Sequence, residues 1–140
     1  MVNLLTGQRG SGKTQQMIEL ANNKSKECNG SVVFIKKTHR DTASVAFKIR
    51  TVCLDDYPAF NSVDAYVGLL YGMYSSNHDI EYIFIDGILK LAGIFLENMP
   101  ELIDKMDQLS KMSGIEFYVS ISADESQLAG VDKEKYTILG

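Results

Sequence analysis

The run Gly7-Gln8-Arg9-Gly10-Ser11-Gly12-Lys13-Thr14 constrains this chain more than any other segment. It satisfies the spacing G-x-x-x-x-G-K-[ST] in full. It follows an apolar stretch at 2–5 and opens onto a helix-forming run at 13–26. Strand, glycine-rich turn and helix in that order give the pattern its meaning. The glycines let successive backbone N–H groups converge into a concave nest that suits phosphate oxygens. The helix start adds its positive dipole end. On this reading Lys13 reaches the β- and γ-phosphates of a nucleoside triphosphate, and the Thr14 hydroxyl completes a Mg²⁺ shell. A plain glycine-rich strand-to-helix turn is the competing explanation, and the full pattern in its proper context disfavours it.

A second element completes the site on paper. Residues 80–86, Ile-Glu-Tyr-Ile-Phe-Ile-Asp, form a near-continuous apolar run ending in a carboxylate. Such runs are strands buried on both faces of a parallel sheet. Ligands of open α/β sheets bind in the crevice beyond the C-terminal ends of the strands. Asp86 is therefore expected to hold Mg²⁺ through water, beside Thr14. Alone the run says little, because many core strands end in Asp; the phosphate-loop pattern gives it weight.

The rest of the chain alternates in the same way. Residues 31–35 read as a buried strand that delivers Lys36, Lys37, Thr38, His39, Arg40 and Asp41 to the edge where the nucleotide would lie. Asn29-Gly30 before it reads as a left-handed helix end. A short strand at 50–54 belongs toward a sheet edge. Val63, Tyr66, Val67, Leu70, Tyr71 and Tyr74 make one apolar helical stripe, capped by Asn61 or Ser62. Residues 87–96 suggest a short helix and turn, apolar enough for either core or interface. Asn98-Met99-Pro100-Glu101 carries the marks of another helix start, and Gly114 stops that helix. Strands at 115–121 and 136–139 follow. Strands and helices alternating at this spacing specify a three-layer α/β/α fold with a mostly parallel sheet of five to six strands. The 140 residues are expected to form one nucleotide-binding domain around a single core.

Composition excludes several classes. A net charge of −4 argues against a general nucleic-acid or acidic-membrane binder. Cys28 and Cys53 have no metal-type spacing and read as thiols in a reducing compartment. His39 and His78 lack Cys or acidic neighbours at ligand spacing. The phosphate loop begins at residue 7, which leaves no room for a cleavable leader, and the stretch 83–96 is too short and too interrupted by charge to cross a bilayer. A cytoplasmic, soluble protein is expected. The tyrosines at 66, 71 and 74 and the methionines at 99, 106 and 112 read as core.

The segments Gly7 to Thr14 and 80–86 resemble the Walker A and Walker B motifs of the P-loop NTPase superfamily. In length and in its almost immediate phosphate loop, the chain is similar to small stand-alone bacterial ATP-binding proteins given a twitching-motility-ATPase-like label. More distantly it resembles RecA-like and thymidine-kinase cores. A RecA-like order would insert the strand ending near Ser120 and Ser122 between the two Walker strands. It would set the last strand on the far side of the first, with the short 50–54 strand outside the second.

The chemistry then divides into three readings. No N-K-x-D guanine loop is present, and Leu89 stands where a D-x-x-G switch needs glycine, so ATP with Mg²⁺ is the expected ligand. Many ATPases of the RecA and AAA type carry Glu directly after the Walker B Asp; here Gly87 stands there. Hydrolysis needs a group to orient water. Asp41, at the end of the second strand, is the nearest substitute, with a solvated loop carboxylate or helix cap as its plain alternative. Catalytic duty therefore falls to Lys13, Asp86 and Asp41. Arg9 faces either solvent or nucleotide. Arg40 is a candidate arginine finger or an exposed loop residue, and Ser120 and Ser122 either sense the γ-phosphate or satisfy backbone groups. The cluster Lys36, Lys37, His39, Arg40, Lys48 and Arg50 reads as a solvated edge or as a surface for a phosphate-bearing partner. The leading function is a Mg-ATP-binding switch or ATPase subunit, with hydrolysis slow or completed by an unidentified protein partner. A nucleoside or nucleotide kinase is the alternative, although the chain lacks the four-Cys zinc lasso common in thymidine kinases and any arginine after Arg50. A non-hydrolysing assembly module is the third. Oligomeric state is not set by these features.

Overall fold

Each apolar run read as a strand forms one, and all pair in parallel. The computed structural model describes residues 1–139. The strands are β1 (Val2–Thr6), β2 (Ser31–Lys36), β3 (Arg50–Cys53), β4 (Ile80–Ile85), β5 (Glu116–Ile121) and β6 (Tyr136–Ile138). They lie in one sheet in the order β3-β2-β4-β5-β1-β6. The strand ending near Ser120 thus sits between the strands of the two Walker segments, as a RecA-like order requires. Register runs from Leu5 beside Ser120 through Ile85 beside Val119 to Ile35 beside Ile85. All of these strands therefore end along one edge.

Alternation along the strands assigns the two faces. Leu5, Phe34, Phe84 and Tyr118 point to the face covered by α1 (Lys13–Glu27), where they meet Met17, Ile18 and Ala21. Phe84 stacks on Tyr118 with ring centroids 4.8 Å apart and on Phe34 at 6.0 Å. Leu4, Ile35, Ile83, Ile85, Phe117 and Val119 point to the other face. There they pack under α2 (Val63–Ser76) and α3 (Met99–Ser113). One helix on one face and two on the other make the three layers. No helix among the described residues is long and apolar enough to cross a membrane.

Local details differ from the sequence reading at several places. α1 ends at Glu27 with Cys28 extended, φ −88°, so Asn29-Gly30 provides no left-handed stop. Ser62, not Asn61, caps α2, its hydroxyl accepting from the Ala65 N–H at 3.2 Å. Residues 87–96 form no helix beyond a 3-10 turn at Ile88–Lys90, with a second such turn at Leu96–Asn98. Ile88, Leu91 and Ile94 of that segment are buried, which makes its apolar side core, and of its large apolar side chains Phe95 is the one well exposed. The Asn98 side chain serves the second turn by accepting from the Phe95 N–H at 2.8 Å, so it does not cap α3. Met112 is exposed, unlike the buried Met99 and Met106, because it falls outside the α3 stripe that faces the sheet.

Candidate functional site

The phosphate loop joins the end of β1 to the start of α1. Gly7, Gly10 and Gly12 all take positive φ (144°, 83° and 84°), a path open to glycine and strained for residues with a side chain. Gly12 is the residue before the helix, and no side chain caps it. The first-turn N–H groups of α1 therefore have neither an intrahelical acceptor nor a capping one. Gly7 N–H donates to the Ala123 carbonyl at 3.2 Å, tying the loop to the chain just beyond β5.

Lys13 lies under this loop. It is 8 % exposed. Its ammonium donates to the carbonyls of Gly7 (2.9 Å) and Gln8 (2.7 Å) and to Ser11 Oγ (3.3 Å). Burial lowers its pKa below the ordinary lysine value; the nearby charge of Lys90 lowers it further, and Asp86 partly offsets both. An anion lodged in the loop would restore the missing counter-charge.

Asp86 follows directly on β4, its N–H bound to the Ile35 carbonyl at 2.9 Å. Its two carboxylate oxygens are used separately. Oδ2 accepts from the Thr14 hydroxyl at 3.0 Å, and Oδ1 accepts from the Ser120 hydroxyl at 2.7 Å. Ser120, buried at the end of β5, also accepts from the Gly87 N–H at 2.7 Å. That serine is thus committed to orienting the carboxylate and closing the turn after it, rather than left free to touch phosphate. One carboxylate and one hydroxyl form a hard-oxygen donor pair that fits Mg²⁺, which takes few protein ligands and keeps waters or phosphate oxygens for the rest.

The cavity above these groups has a volume of about 540 Å³. Arg9, Lys13, Lys36, Lys37, Arg40 and Lys90 line it, against only Asp41 and Asp86 as carboxylates. On a chain of net charge −4, such a concentration of positive charge marks the place for an anion. The basic cluster read from the sequence is therefore split. Lys36, Lys37 and Arg40 line the phosphate cavity. Lys48 and Arg50 line a separate groove between β3 and α2, and His39 sits 2.9 Å from Asp56. Nor is Lys36 a solvated edge residue. It is buried at the end of β2, donating to the Arg40 carbonyl and to Thr42 Oγ1 at 3.3 Å. It pins the loop that carries Arg40 and Asp41.

Asp41 is, among the described residues, the one non-glycine with positive φ, 63°. It precedes a 3-10 turn at Thr42–Ser44, which its side chain does not cap. Arg9 and Ser122 also line the cavity. Two further residues carry no local signal in the sequence. Lys36 looks like one of several loop lysines, and Lys90 looks like an interruption in an apolar stretch. Gly87, which turns with φ 70°, allows the methylenes of Lys90 to lie across it. A Cβ at position 87 would stand 3.1 Å from Lys90 Cδ. The place after Asp86 is thus taken by the stem of a cation.

The sheet order and this site define a RecA-like P-loop fold. Among solved structures, the chain is similar to a KaiC-like protein from the hyperthermophilic archaeon Pyrococcus horikoshii, with a TM-score of 0.61 at 21% sequence identity. The likeness covers 87% of this chain and 61% of that one, so the chain spans about three-fifths of the length of that protein. At this identity the likeness shows the fold alone. No family model matches the sequence, and no curated protein matches it.

Proposed function

We propose that this chain is a single P-loop nucleotide-binding domain that binds Mg-ATP and hydrolyses it slowly, or only when a partner completes the site. It would act as a nucleotide-dependent switch or an ATPase subunit. The observation that carries the reading is the Asp86 carboxylate, held between Thr14 and Ser120 directly beneath an uncapped helix start and a buried lysine. Lys13 would trade its loop carbonyls for β- and γ-phosphate oxygens. Thr14 and Asp86 would hold Mg²⁺, which when bound neutralises charge on the phosphates. Gly7 to Gly12, with Gln8, Arg9 and Ser11 between the glycines, would wrap the phosphates with backbone N–H groups.

Slow turnover follows from what surrounds Asp86. Gly87 offers no carboxylate to orient water, and the Lys90 stem lies across it. Asp41 is the remaining carboxylate of the cavity, on an exposed loop at its rim. In this reading Asp41 positions water only weakly, and Arg40, exposed on the same loop, is placed to meet a partner or be replaced by a partner's cation. The reading includes a cytoplasmic location and a role like that of small bacterial ATP-binding proteins of the twitching-motility-ATPase-like label.

Calorimetric titration with Mg-ATP and Mg-GTP, using Lys13→Ala as control, tests the proposal. Loss of the charge-assisted phosphate contact should cost about 1.5–3 kcal/mol, an affinity drop of about tenfold or more. Binding indifferent to Lys13, or fast turnover by the isolated chain, would overturn the reading.

A further inference from the structure

Beside the phosphate cavity lies a second chamber of about 440 Å³, lined by Arg9, Lys37, Gly87, Leu89, Lys90 and Ser122. It opens into the first, since five of these residues, all but Leu89, line both. Three of the six are cations and none is a carboxylate. Lys37 pairs with Asp55 at 3.0 Å, an exposed contact that water weakens. Among the described residues, Arg9 and Lys90 have no acidic partner within 4.0 Å.

The nucleotide does not account for this charge. A triphosphate with its divalent cation carries about two net negative charges. Six cations and two carboxylates line the larger cavity, so positive charge remains after the nucleotide is seated. Of the cations of the larger cavity, Arg9, Lys37 and Lys90 also flank the smaller chamber. Like charges gathered in one chamber without a carboxylate favour an anion between them. The turn at Gly87, φ 70°, favours glycine, and the Lys90 stem lies against it, 3.1 Å from where a Cβ would stand.

We propose that the chamber binds a phosphate-monoester dianion or free phosphate next to Asp86, at the same time as the nucleotide. Arg9, Lys90 and, more weakly, Lys37 supply its counter-charge. The inference rests on the nucleotide reading and adds a second ligand to it. Two sources present the same chemistry: a phosphoryl acceptor such as a nucleoside monophosphate, and inorganic phosphate left by a cleaved triphosphate.

The test begins with protein saturated by Mg²⁺ and the β,γ-imido analogue of ATP, titrated calorimetrically with inorganic phosphate and, separately, with AMP. At least one should bind the loaded protein. Lys90→Ala should weaken that binding by about tenfold, and Lys90→Arg should largely restore it. Phosphate binding as tightly as AMP assigns the chamber to the product ion, and a clear preference for AMP assigns it to an acceptor. Either result supports the proposal. The inference fails if neither ligand binds the loaded protein, if each merely displaces the analogue, or if Lys90→Ala binds like the parent. Failure of the analogue itself to bind would sink the nucleotide reading first, which keeps the two outcomes distinct.

Discussion

The two sides of the phosphate cavity are built differently. On one side, β1, β4 and β5 converge so that the Asp86 carboxylate accepts from both Thr14 and Ser120, and Lys13 is buried against backbone carbonyls. On the other, the loop after β2 carries Arg40 and Asp41 exposed at the rim, anchored from below by the buried Lys36. The first side has its side-chain polar groups paired and fixed by neighbouring strands. The second relies on one lysine and a left-handed aspartate. Binding groups set in a sheet are preorganised, whereas groups on a loop await a ligand or a partner. This contrast is the structural basis for expecting firm nucleotide binding with slow cleavage.

Apart from the loss of nucleotide expected of Lys13→Ala, the strongest test of the contrast is Ser120→Ala. It removes one partner from both Asp86 Oδ1 and the Gly87 N–H, and leaving such buried groups unpaired costs about 1–3 kcal/mol. Urea unfolding should show that loss. A variant as stable as the parent would mean that the rigid side is not held as described. Asp41→Gly probes the loop side and should act the other way. A left-handed conformation costs a residue with a Cβ about 1 kcal/mol, somewhat less for Asp, so the glycine variant should gain several tenths of a kcal/mol in the same assay. Basal ATP hydrolysis should fall in that variant, and unchanged hydrolysis would remove Asp41 from the chemistry.

The smallest expected effect is in the pH dependence. Lys13 has a folded pKa below the ordinary value of 10.5, through burial first and Lys90 second. Between the lowered and the ordinary value the unfolded chain binds more protons than the folded one. This lysine's contribution therefore makes the nucleotide-free protein more stable as pH rises through that window. Lys90→Ala removes the second cause. The difference between parent and variant stability, followed by urea unfolding toward pH 10.5, should narrow that rise; an unchanged profile would show that the two charges do not interact.

The phosphate loop and Asp86 were legible because their signals are local: glycine spacing, and an apolar run with a terminal carboxylate. The strand order came from resemblance, and the structure follows it. In sequence Ser120 is open to two roles, phosphate sensor or backbone partner, since nothing near it in the chain reveals Asp86. Lys36 looks in sequence like its exposed lysine neighbours, because the chain shows charge but not burial. The unpaired charge at Lys90 was hidden for the same reason, as the residue it crosses matters only once the turn at Gly87 is drawn.

What the sequence determined by itself is a parallel α/β sheet with a glycine-rich turn of phosphate-loop spacing at its first strand. Glycine conformations and hydrophobic period act over a few residues and are written directly in the chain. Only the tertiary structure decided which side chains share the cavity. Asp86 meets Ser120 across two paired strands, Lys36 is buried beneath its own loop, and Arg9 and Lys90 come together in a chamber without a carboxylate. These relations depend on sheet register and strand order, which bring distant residues within a few ångströms. Their electrostatics exist only at those distances, because Coulomb energies fall with separation and water screens whatever the fold leaves apart.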